Sequence, residues 1–365
     1  MNQPKIKAPS EIFERLEKTV VDQSLSLQQI AVSLFKHINQ LNVGNIMLVG
    51  NSGTGKTTIM RAIESMFAKD ELLSDYMNTV RMNANLISND ESKEMESSVV
   101  ISKLRENAEH MLADHPSPER FKSLMENGVV FIDEVDKIRS HVGGQANPRG
   151  IVAQEALLTL IEGETIHLSY TYKEQGELKR VVLPIETGHI LFICGGAFEG
   201  LYDQVYRRVA SGEHKDKLVQ EFVIEDEDLQ KKEHFHLSNY IRYEDMFEYG
   251  MTPQFLGRFD EIIILNDLTV KGLMRIFLEG EKSLYRETQA YFKTLGVDMQ
   301  MTREALQVLA EAAYENHRIG ARALRSLFKR VLRGIEFNPA NNYLVKEVNG
   351  KKQLTMTADF IKRHI

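Results

Sequence analysis

The sequence predicts an α/β fold, in which a mostly parallel β-sheet is flanked by helices and followed by a smaller, mainly helical C-terminal domain. Two observations predict it. Apolar strand-like runs alternate with amphipathic helical patterns up to residue 265, which is typical of parallel sheets with crossover helices. A glycine-rich phosphate-binding pattern, Gly50 to Thr57, lies between the first such run and a helix. We therefore expect one domain over residues 1–266 and a second over residues 267–365.

Apolar runs mark the strands of the predicted sheet, and apolar residues at helical spacing mark its helices. We expect strands at 45–49, 79–83, 128–132, 190–194 and 261–265, and helices at 11–20, 27–40, 57–69, 95–113, 153–162 and 201–209. In the second domain, helical patterns cover 270–294, 302–317 and 321–335, and short β-like runs cover 297–301, 344–348 and 353–356. The stretches 139–150 and 211–249 fit neither pattern.

The strongest motif is GNSGTGKT, from Gly50 to Thr57, which matches G-x-x-x-x-G-K-[ST]. Backbone N–H groups of such a loop point at one anion, and the following helix adds the positive end of its dipole. Lys56 is expected to reach the β- and γ-phosphates and Thr57 to hold Mg²⁺. The motif thus predicts a bound nucleoside triphosphate, with these contacts: Ser52, Gly53, Thr54, Gly55, Lys56, Thr57 and Thr58.

A second motif follows the phosphate loop by some 75 residues, where the apolar strand 128–132 ends in Asp133 and Glu134. Open α/β sheets bind their ligands at the carboxyl ends of the strands. We expect Asp133 to hold the water shell of Mg²⁺ across from Thr57, and Glu134 to polarise the water that attacks the γ-phosphate. Together, the two motifs predict a nucleotide-hydrolysing site.

Composition excludes several classes of protein. A chain of 365 residues with 42% hydrophobic residues is typical of a globular protein rather than a disordered one. No apolar run approaches the roughly 18 residues of a membrane span, and the polar start lacks the apolar core of a signal peptide. We therefore expect a cytoplasmic protein without membrane contact. The net charge of −7 argues against broad nucleic-acid binding.

Five further motifs carry a resemblance to a known family. They are IDEVDKI (132–138), ALLTLIEG (156–163), ILFICGGAF (190–198), PQFLGRF (253–259) and GARALR (320–325). With these motifs in this order, the chain resembles the AAA+ ATPases from about residue 9 to its C-terminus. Within them it is most similar to the ClpX/HslU branch of protein unfoldases. The resemblance implies Mg²⁺-dependent hydrolysis of ATP, coupled to conformational work on a protein client.

The resemblance also assigns roles to residues outside the first two motifs. Val20 and Val21 correspond to the segment beside the adenine. Arg258, in GRF, corresponds to the arginine finger, which reaches the nucleotide of the neighbouring subunit and stabilises charge on the transferring phosphoryl group. Arg322, in GAR, corresponds to the second sensor, which links the γ-phosphate to the small domain. Because a finger that acts in trans needs a ring, we expect a homo-oligomer, a hexamer in this family.

Three departures from the ClpX pattern bear on the client. We do not expect the cysteine-rich zinc module of the ClpX pattern, since this sequence has one cysteine, Cys194. Ser92 and Lys93 align with the aromatic–aliphatic pair of the first pore loop, and these polar side chains do not grip an apolar polypeptide as tyrosine and valine do. A charged stretch, 221–240, replaces the Ile-Gly-Phe loop that docks on a peptidase. This argues against a ClpP-type partner.

Three functions remain open at this point. The resemblance along the whole chain favours an ATP-driven ring that remodels or unfolds a specific protein partner without a ClpP-type peptidase. The polar pore loop favours a nucleotide-controlled scaffold or switch. A nucleic-acid motor would use the same ATPase core, but the lack of a basic stripe or an appended DNA-binding module in the sequence argues against it.

Overall fold

A computed structural model describes residues 6, 8–41, 44–88, 98–174, 176–211, 219–225, 228–234, 237–279, 283–315, 320–337, 339, 344–348 and 350–365. The chain forms two compact units. The first contains Met1–Phe13, Ser26–Val49 and Ile63–Ile264, and the second contains Glu14–Leu25, Gly50–Ala62 and Leu265–Ile365. The phosphate loop thus groups with the C-terminal residues. The domain boundary at residue 266 stays a prediction.

The secondary structure alternates strands and helices through residue 264. The strands are β1 (Asn45–Val49), β2 (Thr79–Asn83), β3 (Val129–Asp133), β4 (His141–Val142), β5 (Gln145–Ala146), β6 (Thr165–Glu174), β7 (Glu177–Glu186), β8 (Leu191–Gly196), β9 (Val219–Glu225), β10 (Asp228–His234), β11 (Phe259–Ile264), β12 (Val297–Met301), β13 (Val345–Val348) and β14 (Lys351–Met356). The helices are α1 (Pro9–Glu17), α2 (Ser24–Ile38), α3 (Lys56–Lys69), α4 (Ala84–Ser88), α5 (Val99–Met111), α6 (Pro118–Glu126), α7 (Pro148–Glu162), α8 (Leu201–Ser211), α9 (Leu237–Tyr240), α10 (Tyr243–Tyr249), α11 (Pro253–Leu256), α12 (Val270–Glu279), α13 (Leu284–Thr294), α14 (Arg303–Tyr314), α15 (Ala321–Phe337) and α16 (Ala358–His364).

A five-stranded parallel sheet forms the centre of the first unit, in the order β11-β1-β8-β3-β2. Each of its four strand pairs is parallel. The register places Asn83 at the end of β2 beside Asp133 at the end of β3. Because all five strands run in one direction, their carboxyl ends meet at one edge of the sheet. The predicted α/β class with a mostly parallel sheet is confirmed.

The sheet is buried because its strands are apolar on both faces, as parallel strands covered by helices usually are. In β3 the four residues Val129 to Ile132 are fully buried. Helix α5 packs into the same core through Val100, Leu104 and Ala108, which repeat every four residues on one face. Ser98 caps this helix by accepting a hydrogen bond from the backbone N–H of Ile101.

Two long antiparallel hairpins, in addition to the short hairpin β4–β5, were not predicted from the sequence. The first pairs the ten-residue strands β6 and β7, and its Tyr170 ring stacks on Phe121 of α6 with the centroids 4.3 Å apart. The second pairs β9 with β10, inside the charged stretch 211–249. Both hairpins insert into the alternating pattern between strands of the central sheet, so they leave its order unchanged.

The C-terminal part of the second unit packs five helices with a three-stranded sheet of order β12-β14-β13. Its core contains the fully buried rings of Phe277, Phe292 and Phe328. The helix expected over 270–294 is two helices, α12 and α13, because Ser283 caps a new helix by accepting from the N–H of Arg286. The mainly helical character of this part is confirmed.

His37 of α2 provides a test of the first unit's packing. The imidazole is buried against the Tyr76 ring, and burial lowers its pKa to about 4. Since the unfolded chain binds that proton with a pKa near 6.5, the free energy of unfolding must fall as the pH drops from about 6.5 towards 4. Between pH 7 and pH 4.5 this residue accounts for a loss of about 2 to 3 kcal/mol.

We expect His37→Leu to remove that part of the pH dependence, as measured by urea unfolding followed by far-UV circular dichroism at both pH values. The matched control is His115→Leu, which replaces an exposed histidine and leaves the pH dependence as in the wild type. An unchanged pH dependence in His37→Leu would contradict the assignment of this loss to a buried, neutral imidazole.

Candidate functional site

The phosphate loop turns sharply between β1 and α3. Gly53 and Gly55 have φ angles of 84° and 109°, a backbone conformation that other residues rarely adopt. Helix α3 begins at Lys56, directly after the second of these glycines. The N–H groups of its first turn are therefore available to an anion at the mouth of the loop.

Lys56 lies almost buried within the loop that precedes it. Its Nζ donates hydrogen bonds to the carbonyl oxygens of Gly50, at 2.5 Å, and Asn51, at 3.0 Å. A buried ammonium requires such acceptors, since desolvation without them is costly. The side chain that the motif assigns to the phosphates is thus held inside the curve of the loop.

Gln23 connects the phosphate loop to the chain that follows β11. Its buried Nε2 donates to the carbonyl of Thr54 at 3.0 Å and to that of Asn266 at 2.7 Å, and its Oε1 accepts from the N–H of Asn266 at 3.1 Å. Asn51 adds a hydrogen bond to Asp267 at 3.0 Å. These contacts, which sequence reasoning missed, lie within the second unit and hold the loop in one position.

A cavity of about 270 Å³ opens beside the loop, within the second unit. This volume lies near the lower end of the usual range for small-molecule sites, about 300–1,000 Å³. Loop residues and apolar side chains share its wall: Thr19, Val20, Val21, Gly53, Thr54, Gly55, Thr58, Arg61, Leu268, Ile276 and Ala321. A ligand with an anionic end and a flat apolar end fits such a wall.

The cavity brings together six of the residues predicted as nucleotide contacts: Val20, Val21, Gly53, Thr54, Gly55 and Thr58. Of the described residues, Ser52, Lys56 and Thr57 belong to the same loop and helix but lie outside its wall. Sequence reasoning missed the apolar Leu268 and Ile276, which lie over 200 residues further along the chain.

The second-sensor candidate, Arg322, follows the cavity residue Ala321 and has an exposed side chain. Just before them, Gly320 lies against the phosphate loop: a Cβ atom there would sit 3.0 Å from the carbonyl oxygens of Ser52 and Gly53. The start of α15 thus approaches the loop backbone closely, and this contact together with a φ of 52° favours a glycine at this position.

The acid pair ends β3 in the first unit. Glu134 adopts a left-handed conformation with φ of 61°, and its N–H donates to Oδ1 of Asp133 at 2.9 Å. Asn83, at the end of the neighbouring strand, donates through Nδ2 to Oε2 of Glu134 at 2.5 Å. A non-glycine residue in this conformation costs on the order of 1 kcal/mol or more, and such strain clusters at functional sites. Sequence reasoning missed Asn83.

Arg258 lies in the turn between α11 and β11, and its side chain is exposed. Its guanidinium forms an ion pair with Glu162, at the end of α7. Its carbonyl oxygen accepts from Nδ2 of Asn45 at 3.2 Å, which fixes the turn against β1. The side chain is therefore available at the surface of the first unit, restrained by a pair that is open to solvent.

The pore-loop candidates differ in what the structure describes. Ser92 and Lys93 lie outside the described residues. The stretch 139–149, which the resemblance to ClpX assigns to a second pore loop, contains the short hairpin β4–β5. Its base is anchored on α10 and on Gly250, whose carbonyl oxygen accepts from the N–H of Ser140 at 2.8 Å. There the Arg139 guanidinium lies 4.8 Å from the centroid of the Tyr249 ring, and a ring nitrogen of His141 is 2.9 Å from the carbonyl oxygen of Glu248.

Two further findings concern metals and membranes. Across the described ranges, no group of three or more His, Cys, Asp or Glu side chains is placed to hold a metal ion. Cys194 is buried in β8, where burial raises the pKa of its thiol, so the group stays protonated and acts as a small apolar side chain.

Among the residues that the structure describes, none of the helices has the length and apolar content of a bilayer span.

Comparison with known proteins agrees with the fold and the loop. Residues 41–262, more than half of the chain, match the AAA domain (Cdc48 subfamily) family. The chain therefore belongs to this family of ATPases, and it is an ATP-binding AAA+ protein similar to ClpX.

Its relatives are named ATP-dependent Clp protease ATP-binding subunit ClpX. The protein from Treponema denticola is 27% identical over 373 residues, which cover 98% of this chain and 81% of that protein. Those from Bacteroides thetaiotaomicron and Borrelia duttonii are each 26% identical and cover 100% and 94% of this chain, and 83% and 77% of their own length.

Proposed function

We propose that this protein is an ATP-driven ring that remodels or unfolds a specific protein client without a ClpP-type peptidase. The observation that carries the proposal is the cavity in which Val20 and Val21 meet the phosphate loop, because it joins an apolar wall suited to a base with a loop suited to phosphates. Family membership and the ClpX relatives support ATP hydrolysis. A cytoplasmic location is part of the proposal, as the sequence led us to expect.

In this proposal the loop from Ser52 to Thr58 binds the phosphates, and Lys56 turns its ammonium from the loop carbonyls to the β- and γ-phosphates. Thr57 and Asp133 are half-buried and offer the oxygen ligands that Mg²⁺ prefers. When bound, Mg²⁺ neutralises charge on the phosphate oxygens. Val20, Val21 and Ile276 enclose the base.

Glu134 acts as the general base for the attacking water, and Arg258 and Arg322 stabilise the charge of the transferring phosphoryl group. The hydrogen bond from Asn83 supports this role, since it stabilises the carboxylate and limits the directions in which it can point. Many AAA+ relatives have a polar first-sensor residue at the position of Gly195, beside Leu48 on β1, where this chain has no side chain to orient the water. In this proposal the water is oriented by Glu134, which Asn83 holds in place.

Arg258 completes the site of a neighbouring subunit in the proposed hexameric ring. Within one chain it pairs with Glu162, and both side chains are about half exposed, at 50% and 43%. Exposed ion pairs are worth about 0 to 1 kcal/mol, so a neighbour's nucleotide can draw the guanidinium away at little cost. Hydrolysis then alters the contacts between subunits and drives the pore loops.

Two observations point in opposite directions on the proposed absence of a peptidase partner. The relatives are named as subunits of a protease, which favours a ClpP-type partner. The charged stretch at 221–240 supports the opposite conclusion, because the apolar docking loop of the ClpX pattern has no counterpart there. The described parts of this stretch include most of the hairpin β9–β10.

Substitution of the proposed base and the loop lysine should separate hydrolysis from binding. We expect Glu134→Gln to lower ATP turnover at least about 100-fold, because general-base catalysis contributes 10²–10⁴-fold, while ATP affinity survives. Lys56→Ala should impair both. Steady-state turnover and the affinity for a fluorescent ATP analogue are the measurements, with Glu155→Gln, on the exposed face of α7, as the matched control. Unchanged turnover in Glu134→Gln would remove it as the base.

The client class is tested by ATP turnover in the presence of a permanently unfolded polypeptide, with Glu134→Gln as the blank. We expect turnover to rise saturably with polypeptide concentration, because a client held in the pore couples to hydrolysis. Added ClpP-type peptidase should neither change the rate nor degrade the polypeptide.

Other outcomes would overturn parts of this proposal. Degradation of the polypeptide would show that the protein works with a ClpP-type peptidase, as the name of its relatives indicates for them. Stimulation by DNA in place of polypeptide would favour a nucleic-acid motor. Slow turnover that responds to neither would favour the nucleotide-controlled scaffold or switch.

A further inference from the structure

Helix α15 carries an unusual concentration of positive charge. Its seventeen residues contain four arginines, one lysine and a single acid, Glu336, whereas the whole chain has a net charge of −7. Arg322 belongs to the proposed nucleotide site. The other four, which we call the basic face, are exposed: Arg325, Lys329, Arg330 and Arg333. None of the four is ion-paired with a carboxylate of the described residues.

Helical geometry makes the basic face a continuous stripe, which corrects the expectation from the sequence that a basic stripe is lacking. Residues three and four apart lie next to each other on a helix surface, so Arg325, Lys329 and Arg333 follow one line with Arg330 beside it. At 1.5 Å per residue the line spans about 12 Å. Like charges at this spacing repel each other and cost stability, so an external anion along the line would relieve that repulsion.

The opposite face of α15 is occupied by the core, which limits the kinds of partner. Its apolar residues, including Leu324, Phe328 and Leu332, are buried in the second unit. The helix therefore has no apolar face free to enter a membrane, as a membrane-binding amphipathic helix requires. A partner must bind through the charged face alone.

One aromatic ring lies at the C-terminal end of the stripe. Phe337 is 93% exposed, and it stands one turn beyond Arg333 and two turns beyond Arg330 on the same side of the helix. Proteins that bind single-stranded nucleic acids combine cations that follow the backbone with aromatic rings on which bases stack. Carboxylates of an acidic polypeptide have no comparable use for an exposed phenyl ring.

We propose that the basic face and Phe337 bind a single-stranded nucleic acid, with its phosphates on the cations and one base on the ring. Interfaces with nucleic acids are polar and strongly positive, whereas the centre of a protein–protein interface is apolar and depleted in charge. The basic face is polar and strongly positive, as interfaces with nucleic acids are. In this proposal the nucleic acid only tethers the protein, so no effect on ATP hydrolysis is required. The proposal does not depend on the proposed remodelling function.

The test is binding of a fluorescently labelled oligothymidine to the full-length protein, followed by anisotropy over a range of salt concentrations. The variant K329Q/R330Q/R333Q should bind at least about tenfold more weakly. Each phosphate contact on a single strand contributes about 0.7 to the slope of log K against log salt, so the slope should fall by about 2. Phe337→Ala should lose about fivefold in affinity and keep the slope.

The matched control is K346Q/K351Q/K352Q, which removes three exposed lysines of β13 and β14 and gives the chain the same net charge as the basic-face variant. It should bind like the wild type. Basal ATP turnover of both triple variants is expected to be unchanged, because these residues lie outside the nucleotide cavity. If the first triple variant does not fold, the three single substitutions should each lower the slope by about 0.7.

Three results would overturn the proposal. The first is that the wild type fails to bind oligothymidine. The others are that the control variant loses as much affinity as the basic-face variant, or that the basic-face variant binds as tightly as the wild type. A labelled polyglutamate peptide provides the last comparison. Binding of this peptide, lost in K329Q/R330Q/R333Q and tighter than that of oligothymidine, would assign the basic face to an acidic protein partner instead.

Discussion

The reversal of the chain between β1 and α3 is the constraint on which the rest of the site depends. A buried strand must turn at once into a helix, and two glycines with positive φ, Gly53 and Gly55, make that turn possible. The ammonium of Lys56 closes the turn from inside by binding two loop carbonyls. Gln23 holds it from outside through Thr54 and Asn266. The loop is thus formed before any ligand is bound, and little ordering entropy opposes phosphate binding.

The position of the acid pair also follows directly from the sheet. Parallel pairing places the ends of β2 and β3 side by side, so the side chain of Asn83 forms a direct hydrogen bond with Glu134. The left-handed backbone at Glu134 is a local strain that the buried strand can support. Arg258, in contrast, is at the surface and paired with Glu162. The proposed base is therefore held by a buried strand and a hydrogen bond, whereas the proposed finger lies in a solvent-exposed ion pair, which is the combination expected if Arg258 serves another subunit.

Much of the fold was predictable because its signals are local. The five strands of the central sheet lie within two residues of their predicted ends, since each is a short apolar run bounded by polar residues. The phosphate loop was predictable as a contiguous motif. The hairpin β6–β7 carries period-two alternation, with Ile166, Leu168 and Tyr170 buried, but nothing in the α/β pattern calls for an antiparallel insertion there. Its identification needed the tertiary packing on α6.

The parts of the site that sequence reasoning missed depend on contacts between distant segments. Leu268 and Ile276 join Val20 in the cavity wall only after the chain has completed the central sheet. Asn83 looks like any polar residue at a strand end until the register places it beside Asp133. The basic face of α15 was likewise missed, since its cations are interrupted in the sequence by the buried residues of the same helix. Roles for the individual residues remain predictions.

The central claim, that a site in one subunit is completed by Arg258 of the next, is tested most directly by mixing two inactive variants. Arg258→Ala and Glu134→Gln should each lack ATP turnover alone. In mixed rings, an Arg258→Ala subunit supplies the intact base and a Glu134→Gln neighbour supplies the intact arginine. An equimolar mixture should then recover about a quarter of wild-type turnover if the subunits mix at random in a closed ring. Recovery of none, with mixed assembly verified, would contradict a shared site, as would full turnover in Arg258→Ala alone.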